Sequence, residues 1–239
     1  MHESETDLVL SLDSGLSVLG VVGDISSYDS LKRFRLAIRG LFVYFPNPAL
    51  IKARGGVGQD LALAPDAANL VSWLRVRQAF KPGEYDVFLD QLKGLLPGLD
   101  RLEFKELNDE STLRLRFANG RDFDFSELSD GQQALIALCA LIWGNDLPPQ
   151  ILLLGEPENF LALAEIQPLV HTLVDSAHEN GRQLIIASHH PEMFNLMAQE
   201  HGVVLLKDEK GNVHWKRFRD SEEYGLSPAE VIARGWETD

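Results

Sequence analysis

The chain has 239 residues, of which 45% are hydrophobic and 24% are charged, as in globular proteins with a sizeable core. It has 22 Lys and Arg residues and 36 Asp and Glu residues, which gives a net charge of -14. This charge provides no general attraction to nucleic acid or to an anionic membrane, but it does not exclude a local basic patch. Cys139 is the only cysteine, which excludes an intramolecular disulfide framework and a cysteine-based zinc cluster and fits a reducing compartment. The apolar runs are far shorter than the roughly 20 residues of a membrane span, and the acidic N-terminus lacks a secretion pattern. We therefore expect a cytoplasmic protein with no membrane segment.

Helical and strand-like patterns are mixed over residues 1–125. Glycines among β-branched residues at residues 7–24 are typical of short strands or irregular structure. Apolar spacing and proline or glycine stop signals predict three helices, at residues 30–40, 65–80 and 85–95. Two strands are predicted around a turn at Asn108-Asp109, at residues 101–106 and 112–117.

From residue 126 onward helix and strand alternate, which is typical of an α/β fold. A buried helix is predicted at residues 129–143, and a second helix, containing Pro168, at residues 162–179. Apolar runs predict three buried strands and a fourth after a Lys-Gly-Asn turn, at residues 151–154, 183–188, 201–207 and 213–218. The sequence Ser-Pro-Ala-Glu at residues 227–230 predicts a capped terminal helix.

The first segment with a chemical pattern is Leu128-Ser129-Asp130-Gly131-Gln132-Gln133, at the start of the predicted buried helix. Unpaired N–H groups and partial positive charge at a helix N-terminus attract phosphate, and a hydroxyl and a glycine amide suit that role. The structural alternative is a serine-capped helix with a glycine for close packing. For this segment taken alone, the structural alternative is favoured.

Two further segments each follow a predicted buried strand. Residues 151–159 deliver Glu156 to the C-terminal end of a strand, where open α/β sheets bind ligands and a carboxylate could orient or deprotonate an attacking water. Residues 184–191 place His189 after another strand, where it could donate a hydrogen bond to a phosphate oxygen. An exposed loop carboxylate and a structural histidine are the alternatives. If the two strands are parallel neighbours, Glu156 and His189 should lie close together at one sheet edge.

In this order, the three segments resemble the C-terminal half of an ABC-type ATPase of the SMC and RecF kind, in particular AAA-family ATPases related to overcoming-lysogenisation-defect proteins. Residues 128–132 match the signature motif, residues 151–159 the Walker B strand with its Glu-Pro-Glu-Asn continuation, and residues 188–191 the switch-histidine motif. Other segments are similar to the family's helical insertion and C-terminal tail, at residues 46–48, 66–70, 96–98 and 224–227.

The resemblance implies a fold, a set of site residues and a set of ligands. The fold is α/β, the C-terminal lobe of an ABC-type P-loop NTPase with a helical insertion at roughly residues 60–98. Residues 1–125 would be a remnant of the N-terminal lobe plus that insertion, and residues 126–239 the C-terminal lobe. Glu156 would activate water and His189 would sense the γ-phosphate. The nucleotide of the opposing protomer would be contacted by Ser129, Gly131 and Gln132. Asn159 would lie in the loop that crosses the dimer interface.

Two departures from the family pattern affect the expected ATP and Mg²⁺ chemistry. The Walker A loop ends in Gly-Lys-Ser/Thr, cradles phosphates and binds Mg²⁺ through its hydroxyl, but this sequence contains no Gly-Lys dipeptide. Residues 52–60 are glycine-rich without that lysine, so we interpret them as a flexible loop. Gly155 stands where the family has the Walker B aspartate of the magnesium shell. We expect weak or no ATP binding by this chain alone, and no metal site formed by its own residues.

Three hypotheses remain open. The first is the C-terminal part of an ATPase that needs a Walker A lobe from elsewhere, as a homodimer or with a P-loop-bearing partner. The second is a catalytically degenerate interaction module that keeps the fold. The third is a disrupted reading frame. The family resemblance adds DNA transactions, phage defence and an effector or nuclease partner, but no acidic nuclease cluster is evident, and nucleic-acid contact stays open.

Overall fold

The computed structural model describes residues 29–56, 62–107, 110–143, 151–218 and 225–235. The short strands or irregular structure expected at residues 7–24 and the turn at Asn108-Asp109 lie outside these ranges. The described residues form these α-helices: α1 (Asp29–Arg39), α2 (Leu70–Phe80), α3 (Pro82–Leu95), α4 (Asp130–Trp143), α5 (Leu163–Glu179), α6 (Pro191–His201) and α7 (Pro228–Ala233). They also form these strands: β1 (Leu41–Tyr44), β2 (Arg54–Gly56), β3 (Leu99–Leu107), β4 (Glu110–Phe117), β5 (Asp122–Asp124), β6 (Ile151–Gly155), β7 (Gln183–Ala187), β8 (Val203–Lys207) and β9 (Val213–Arg217).

A three-stranded parallel sheet of order β1-β6-β7 carries the candidate site. β6 and β7 run in parallel with Leu154 opposite Ile186 and Gly155 opposite Ala187, which confirms the predicted pairing of these two strands. β1 was not predicted, because Leu41 continues the apolar spacing of the preceding helix. In the structure that helix ends at Arg39, and Leu41 begins a strand paired with Ile151.

The opposite faces of this parallel sheet differ in burial. Leu152 and Leu154 of β6 are buried in the main core. On the other face Leu41, Val43 and Ile185 are 43%, 42% and 42% exposed. The prediction that β7 is buried is therefore wrong for one of its faces, since an apolar run does not reveal whether both faces are covered. Parallel sheets are usually covered on both faces, so this open apolar face is unusual.

A second, antiparallel sheet has the order β2-β4-β3, with β5 also paired to β4. The interpretation of residues 52–60 as a flexible loop is wrong for residues 54–56, which form β2 and pair with β4. Gly55 is buried opposite Ser111, and a Cβ added to it would lie 2.5 Å from the Cβ of Ser72. Glycine is needed there for close packing against α2, not for mobility. Residues 57–60 lie outside the described ranges.

The helices begin at positions that differ from the prediction. α2 begins at Leu70 and not at residue 65, because Ala67 takes a left-handed conformation with φ 61°. The Asn69 side chain accepts a hydrogen bond from the backbone N–H of Ala64 at 2.8 Å and fixes that turn. α3 begins earlier than predicted, at Pro82, which suits the first turn of a helix. No described helix is both long enough and apolar enough to cross a bilayer.

The main core forms around α4, which is almost entirely apolar after its first turn. Its side chains Leu135, Ile136 and Cys139 are fully buried. Burial raises the pKa of the Cys139 thiol to about 12, so this cysteine is an inert core residue. The predicted buried helix is thus confirmed, and it joins both sheets in one cluster with the faces of α2 and α3.

The strands at the C-terminal end form a separate sheet. β8 and β9 pair with each other in antiparallel register, with Leu205 opposite Trp215. The prediction of a buried strand at residues 201–207 is wrong, because Leu205 is 71% exposed. The terminal helix is confirmed: the Ser227 hydroxyl accepts from the Glu230 N–H, and the Glu230 carboxylate accepts from the Ser227 N–H at 2.9 Å.

Replacement of Gly55 tests the correction to the predicted loop. Gly55→Ala forces a methyl group against the backbone of Ser72, so we expect the free energy of unfolding to fall by about 1–3 kcal/mol in urea denaturation. Gly94→Ala is the control, because Gly94 lies in α3 with nothing within 4 Å of the added Cβ. There the free energy of unfolding should rise by up to about 1 kcal/mol. Equal effects of the two replacements would contradict the close packing at Gly55.

Candidate functional site

The candidate site lies where β6 and β7 end side by side. The backbone N–H of Glu156 donates to the carbonyl of Ala187 at 2.8 Å, which extends the strand pairing by one residue. Glu156 is then the first residue after β6, while Ser188 and His189 follow β7. The polar residues that follow the two strands therefore meet at one sheet edge.

Glu156 and His189 are in direct contact at that edge. Oε2 of Glu156 lies 2.7 Å from Nδ1 of His189, and the His189 backbone N–H donates to the same oxygen at 3.4 Å. The expectation that these residues lie close together is confirmed. His189 is itself highly exposed, with 81% of its side chain accessible, so the pair faces the exterior of the described structure.

The two groups shift each other's pKa. Partial burial by itself raises the pKa of Glu156, but the hydrogen bonds from His189, with a smaller contribution from Glu158, outweigh it and lower the net pKa. The hydrogen bond to Glu156 and its negative charge raise the pKa of His189. The pair is therefore biased toward a carboxylate beside a protonated imidazole.

Glu156 also has an unusual backbone conformation. Its φ of 46° lies in the left-handed region, which costs a non-glycine residue about 1–2 kcal/mol. This turn follows directly on β6, and the Asn159 N–H closes it by donating to the Glu156 carbonyl at 3.1 Å. Strained residues of this kind concentrate at functional sites, where the surrounding structure enforces them.

Glu158 is a third acidic member of the cluster, and its importance was missed by sequence reasoning. Its side chain is almost completely buried, with 4% of the residue exposed, and one carboxylate oxygen accepts a hydrogen bond from the Ser188 hydroxyl. The other oxygen, Oε2, is buried without a hydrogen-bond partner among the described residues. Burial, and then the charge of Glu156, raise the pKa of Glu158. The only signal in the sequence is the second carboxylate of Glu156-Pro157-Glu158.

The predicted phosphate-binding helix terminus is a capping box. The Ser129 hydroxyl accepts from the Gln132 N–H at 3.3 Å, and Oε1 of Gln132 accepts from the Ser129 N–H at 3.1 Å. A Cβ on the buried Gly131 would lie 2.6 Å from the carbonyl oxygen of Phe160, so glycine permits close packing of α4 against this loop. The structure thus contains both features of the structural alternative, the serine cap and the closely packed glycine. Asn159, the expected interface residue, is exposed.

The residues of this chain do not by themselves fit ATP and Mg²⁺. Gly155 offers no carboxylate, although an added Cβ would meet its first neighbour only at 3.9 Å, in Phe45, so packing does not require glycine. Residues 54–56, within the glycine-rich stretch, form a strand and not a phosphate loop. The sheet edge thus carries groups for water and phosphate, whereas the phosphate cradle and the expected magnesium carboxylate are not provided by these residues.

The mixed α/β fold with its parallel sheet is of the P-loop NTPase type. Residues 46–195, more than half of the chain, match the family described as AAA domain, putative AbiEii toxin, Type IV TA system. The chain belongs to this family. No curated protein matches the sequence.

Solved structures of SMC ATPases share the fold. A structure from work on ATP-driven dimerisation and DNA-stimulated activation of SMC ATPases superposes with a TM-score of 0.52 at 15% identity, over 70% of this chain and 99% of that one. The Smc head domain of Pyrococcus yayanosii gives a TM-score of 0.49 at 17% identity, over 67% of this chain and 30% of that one. The first of these similarities supports the predicted fold class, an α/β fold like that of an SMC ATPase.

The strain at Glu156 predicts an unusual order of stabilities. Glu156→Ala and Glu156→Gly both remove the carboxylate, but only alanine keeps the left-handed penalty, so the glycine variant should unfold with a free energy about 1 kcal/mol higher. Asp175 provides a control because it is exposed in the middle of α5. There the alanine variant should be the more stable by about 1 kcal/mol. Urea denaturation of the four variants measures both differences, and the same order at both positions would contradict the strain.

The ion pair predicts a titration behaviour. In the metal-free protein, NMR titration should give His189 a pKa above the ordinary histidine value, and Glu156→Gln should lower it. Because folding raises this pKa, the His189 contribution to stability is full below the unfolded-state pKa and is lost as the pH rises through the folded-state pKa. Glu192→Gln, a change at a half-buried residue in the first turn of α6, should leave the His189 pKa in place. An unchanged pKa in Glu156→Gln would contradict the pairing.

Proposed function

We propose that this chain contributes one edge of an ATP-hydrolysing site. The observation that carries the proposal is the contact of Glu156 with His189 at the carboxyl ends of two adjacent parallel strands. Ligands of open α/β sheets bind in the crevice outside those strand ends. A carboxylate that is held by a protonatable imidazole at that position suits a reaction of water with a phosphate.

In this proposal Glu156 orients the attacking water and accepts a proton from it, since its lowered pKa keeps it ionised. Before the nucleotide binds, His189 holds Glu156 in place. Once it is bound, His189 donates a hydrogen bond to the terminal phosphate. The exposure of His189 leaves it free to reach a ligand that approaches from outside the chain. Mg²⁺, which AAA ATPases use, would neutralise the charge of the phosphates. In this proposal no residue of this chain acts through that ion.

The phosphate cradle would come from a Walker A lobe outside residues 29–235. The open apolar face of the parallel sheet supports this, because Leu41, Val43 and Ile185 would be buried by a covering lobe. The lack of a Gly-Lys dipeptide in the sequence agrees with it. In this view residues 126–239 form the C-terminal lobe, and residues 1–125 hold the helical insertion and a remnant of the first lobe. A relation to overcoming-lysogenisation-defect ATPases is part of the same proposal.

The helix terminus at Ser129 would act on the nucleotide of an opposing subunit. The capping box holds Ser129 and Gln132 at the start of α4, and Gly131 ties this end to the loop containing Asn159. The exposure of Asn159 fits a place at a subunit interface. SMC ATPases of the same fold undergo ATP-driven dimerisation, which favours a homodimer or a pair with a P-loop-bearing partner.

A second candidate function is a catalytically degenerate interaction module. Gly155 favours it, because a carboxylate is missing there without a packing reason. The structural interactions of Ser129 and Gly131 agree with it as well. Both candidates are compatible with a cytoplasmic location, a role in phage defence and an effector or nuclease partner. These three proposals come from the family resemblance and not from a contact in the structure.

The test begins with the DNA upstream of the coding sequence, which is searched for a Gly-Lys-Ser/Thr loop. We expect such a lobe to be encoded and, when co-expressed with this chain, to turn over ATP with Mg²⁺. Glu156→Gln should lower the turnover at least about a hundredfold, as expected for loss of a catalytic base. Ser129→Arg puts a bulky group at the phosphate-facing cap and should also abolish it.

Ser227→Arg serves as the matched control, because it makes the same replacement at the serine cap of α7, a helix that follows the separate β8–β9 sheet. Turnover should then stay close to the wild-type rate. The interaction module is the better account if the upstream DNA encodes no such loop. It is also the better account if the Ser129→Arg chain and the wild-type chain support the same rate of ATP turnover.

A further inference from the structure

We infer that Glu156, Glu158 and His189 form a binding site for a divalent transition-metal ion, with Mn²⁺ as the representative ion. One carboxylate oxygen from each glutamate and one ring nitrogen of His189 lie within 4.8 Å of one another. The inference concerns binding by this chain alone, without nucleotide. It therefore does not depend on the proposed ATPase role.

The spacing of the donor atoms suits a common ion. Ligands about 2.1 Å from a metal lie about 3 Å apart when adjacent and about 4.2 Å apart when opposite. The observed 2.7 Å between Nδ1 of His189 and Oε2 of Glu156 is close to the value for adjacent ligands. The three donor atoms lie within 4.8 Å of one another, at most about 0.6 Å more than the separation of opposite ligands, so small side-chain shifts would place an ion among them.

Glu158 supplies the observation that points to a ligand. Its Oε2 atom is buried and has no hydrogen-bond partner among the described residues, although a buried carboxylate oxygen normally has one. The Ser188 hydroxyl holds the other oxygen, and the His190 N–H donates to Ser188 at 3.0 Å. Glu158 is thus fixed in orientation by a hydrogen-bond relay, as carboxylate ligands of metals commonly are.

The charge balance also favours a cation. Burial, and then the neighbouring carboxyl group of Glu156, raise the pKa of Glu158, as expected for two carboxyl groups close together. A single imidazolium offsets one of the two negative charges. A divalent cation would offset both, and His189 would release its proton on binding, since only a neutral imidazole coordinates a metal.

The donor set indicates which ion is suited. Two carboxylate oxygens and one imidazole nitrogen suit transition-metal ions better than Mg²⁺, which prefers oxygen ligands. Because His189 and part of Glu156 are exposed, the remaining coordination positions would be open to water or to a ligand oxygen. In the competing account no metal binds, and the carboxyl groups of Glu156 and Glu158 share one proton in the same arrangement.

Electron paramagnetic resonance separates the two accounts. The full chain is freed of metal with a chelator and titrated with Mn²⁺ in the absence of nucleotide, so that the signal of hydrated Mn²⁺ reports the free ion. We expect one bound Mn²⁺ per chain. Glu158→Gln keeps the size of the side chain and its contact with Ser188 but should weaken binding at least about tenfold, and His189→Ala should do the same.

Asp208→Asn is the matched control, because Asp208 lies 3.2 Å from His214 in an exposed carboxylate–histidine pair. Its Mn²⁺ affinity should equal that of wild type, and circular dichroism should show that every variant is folded. Ser188→Ala, which releases Glu158 without removing a ligand, should also weaken binding. If wild type leaves the Mn²⁺ signal unchanged, or Glu158→Gln binds as wild type does, the cluster holds a proton only and the inference is wrong.

Discussion

The parallel, in-register pairing of β6 with β7 is the constraint on which the candidate site depends. Gly155 lies opposite Ala187, so the residues that follow both strands emerge at the same level of the sheet. The backbone bond from Glu156 to Ala187 continues this pairing to the last residue before the turn. A register shift of one residue would turn each of these side chains to the other face and separate Glu156 from His189.

Two locally unfavourable features lie at this edge of the sheet. Glu156 has a left-handed backbone, and Glu158 is a buried carboxylate with one unsatisfied oxygen. Each destabilises the fold locally. The fully buried apolar face of α4 and the packing of Gly131 against the carbonyl of Phe160 keep the loop after β6 in this conformation. Such local costs are expected where a binding site, and not stability, determines the residues.

The sequence predicts the site better than it predicts the sheets. The runs at residues 151–154 and 183–188 lead into polar segments, and parallel pairing is enough to bring Glu156 and His189 together. β1 and β2 escape prediction because Leu41 continues a helical spacing and because Gly55 has no side chain to show a strand pattern. The exposure of Ile185 and Leu205 is also hidden, since burial depends on neighbouring elements and not on the run itself. Glu158 was overlooked because its partner, Ser188, is 30 residues away in the chain.

The central claim is that this chain holds one edge of a nucleotide site and not the phosphate cradle. Calorimetric titration of the isolated chain with ATP and Mg²⁺ tests it most directly, because triphosphate affinity comes largely from loop amides and a lysine. The account predicts no measurable saturable binding heat. A micromolar dissociation constant for the isolated chain would contradict it and would show that these residues form a phosphate site of their own.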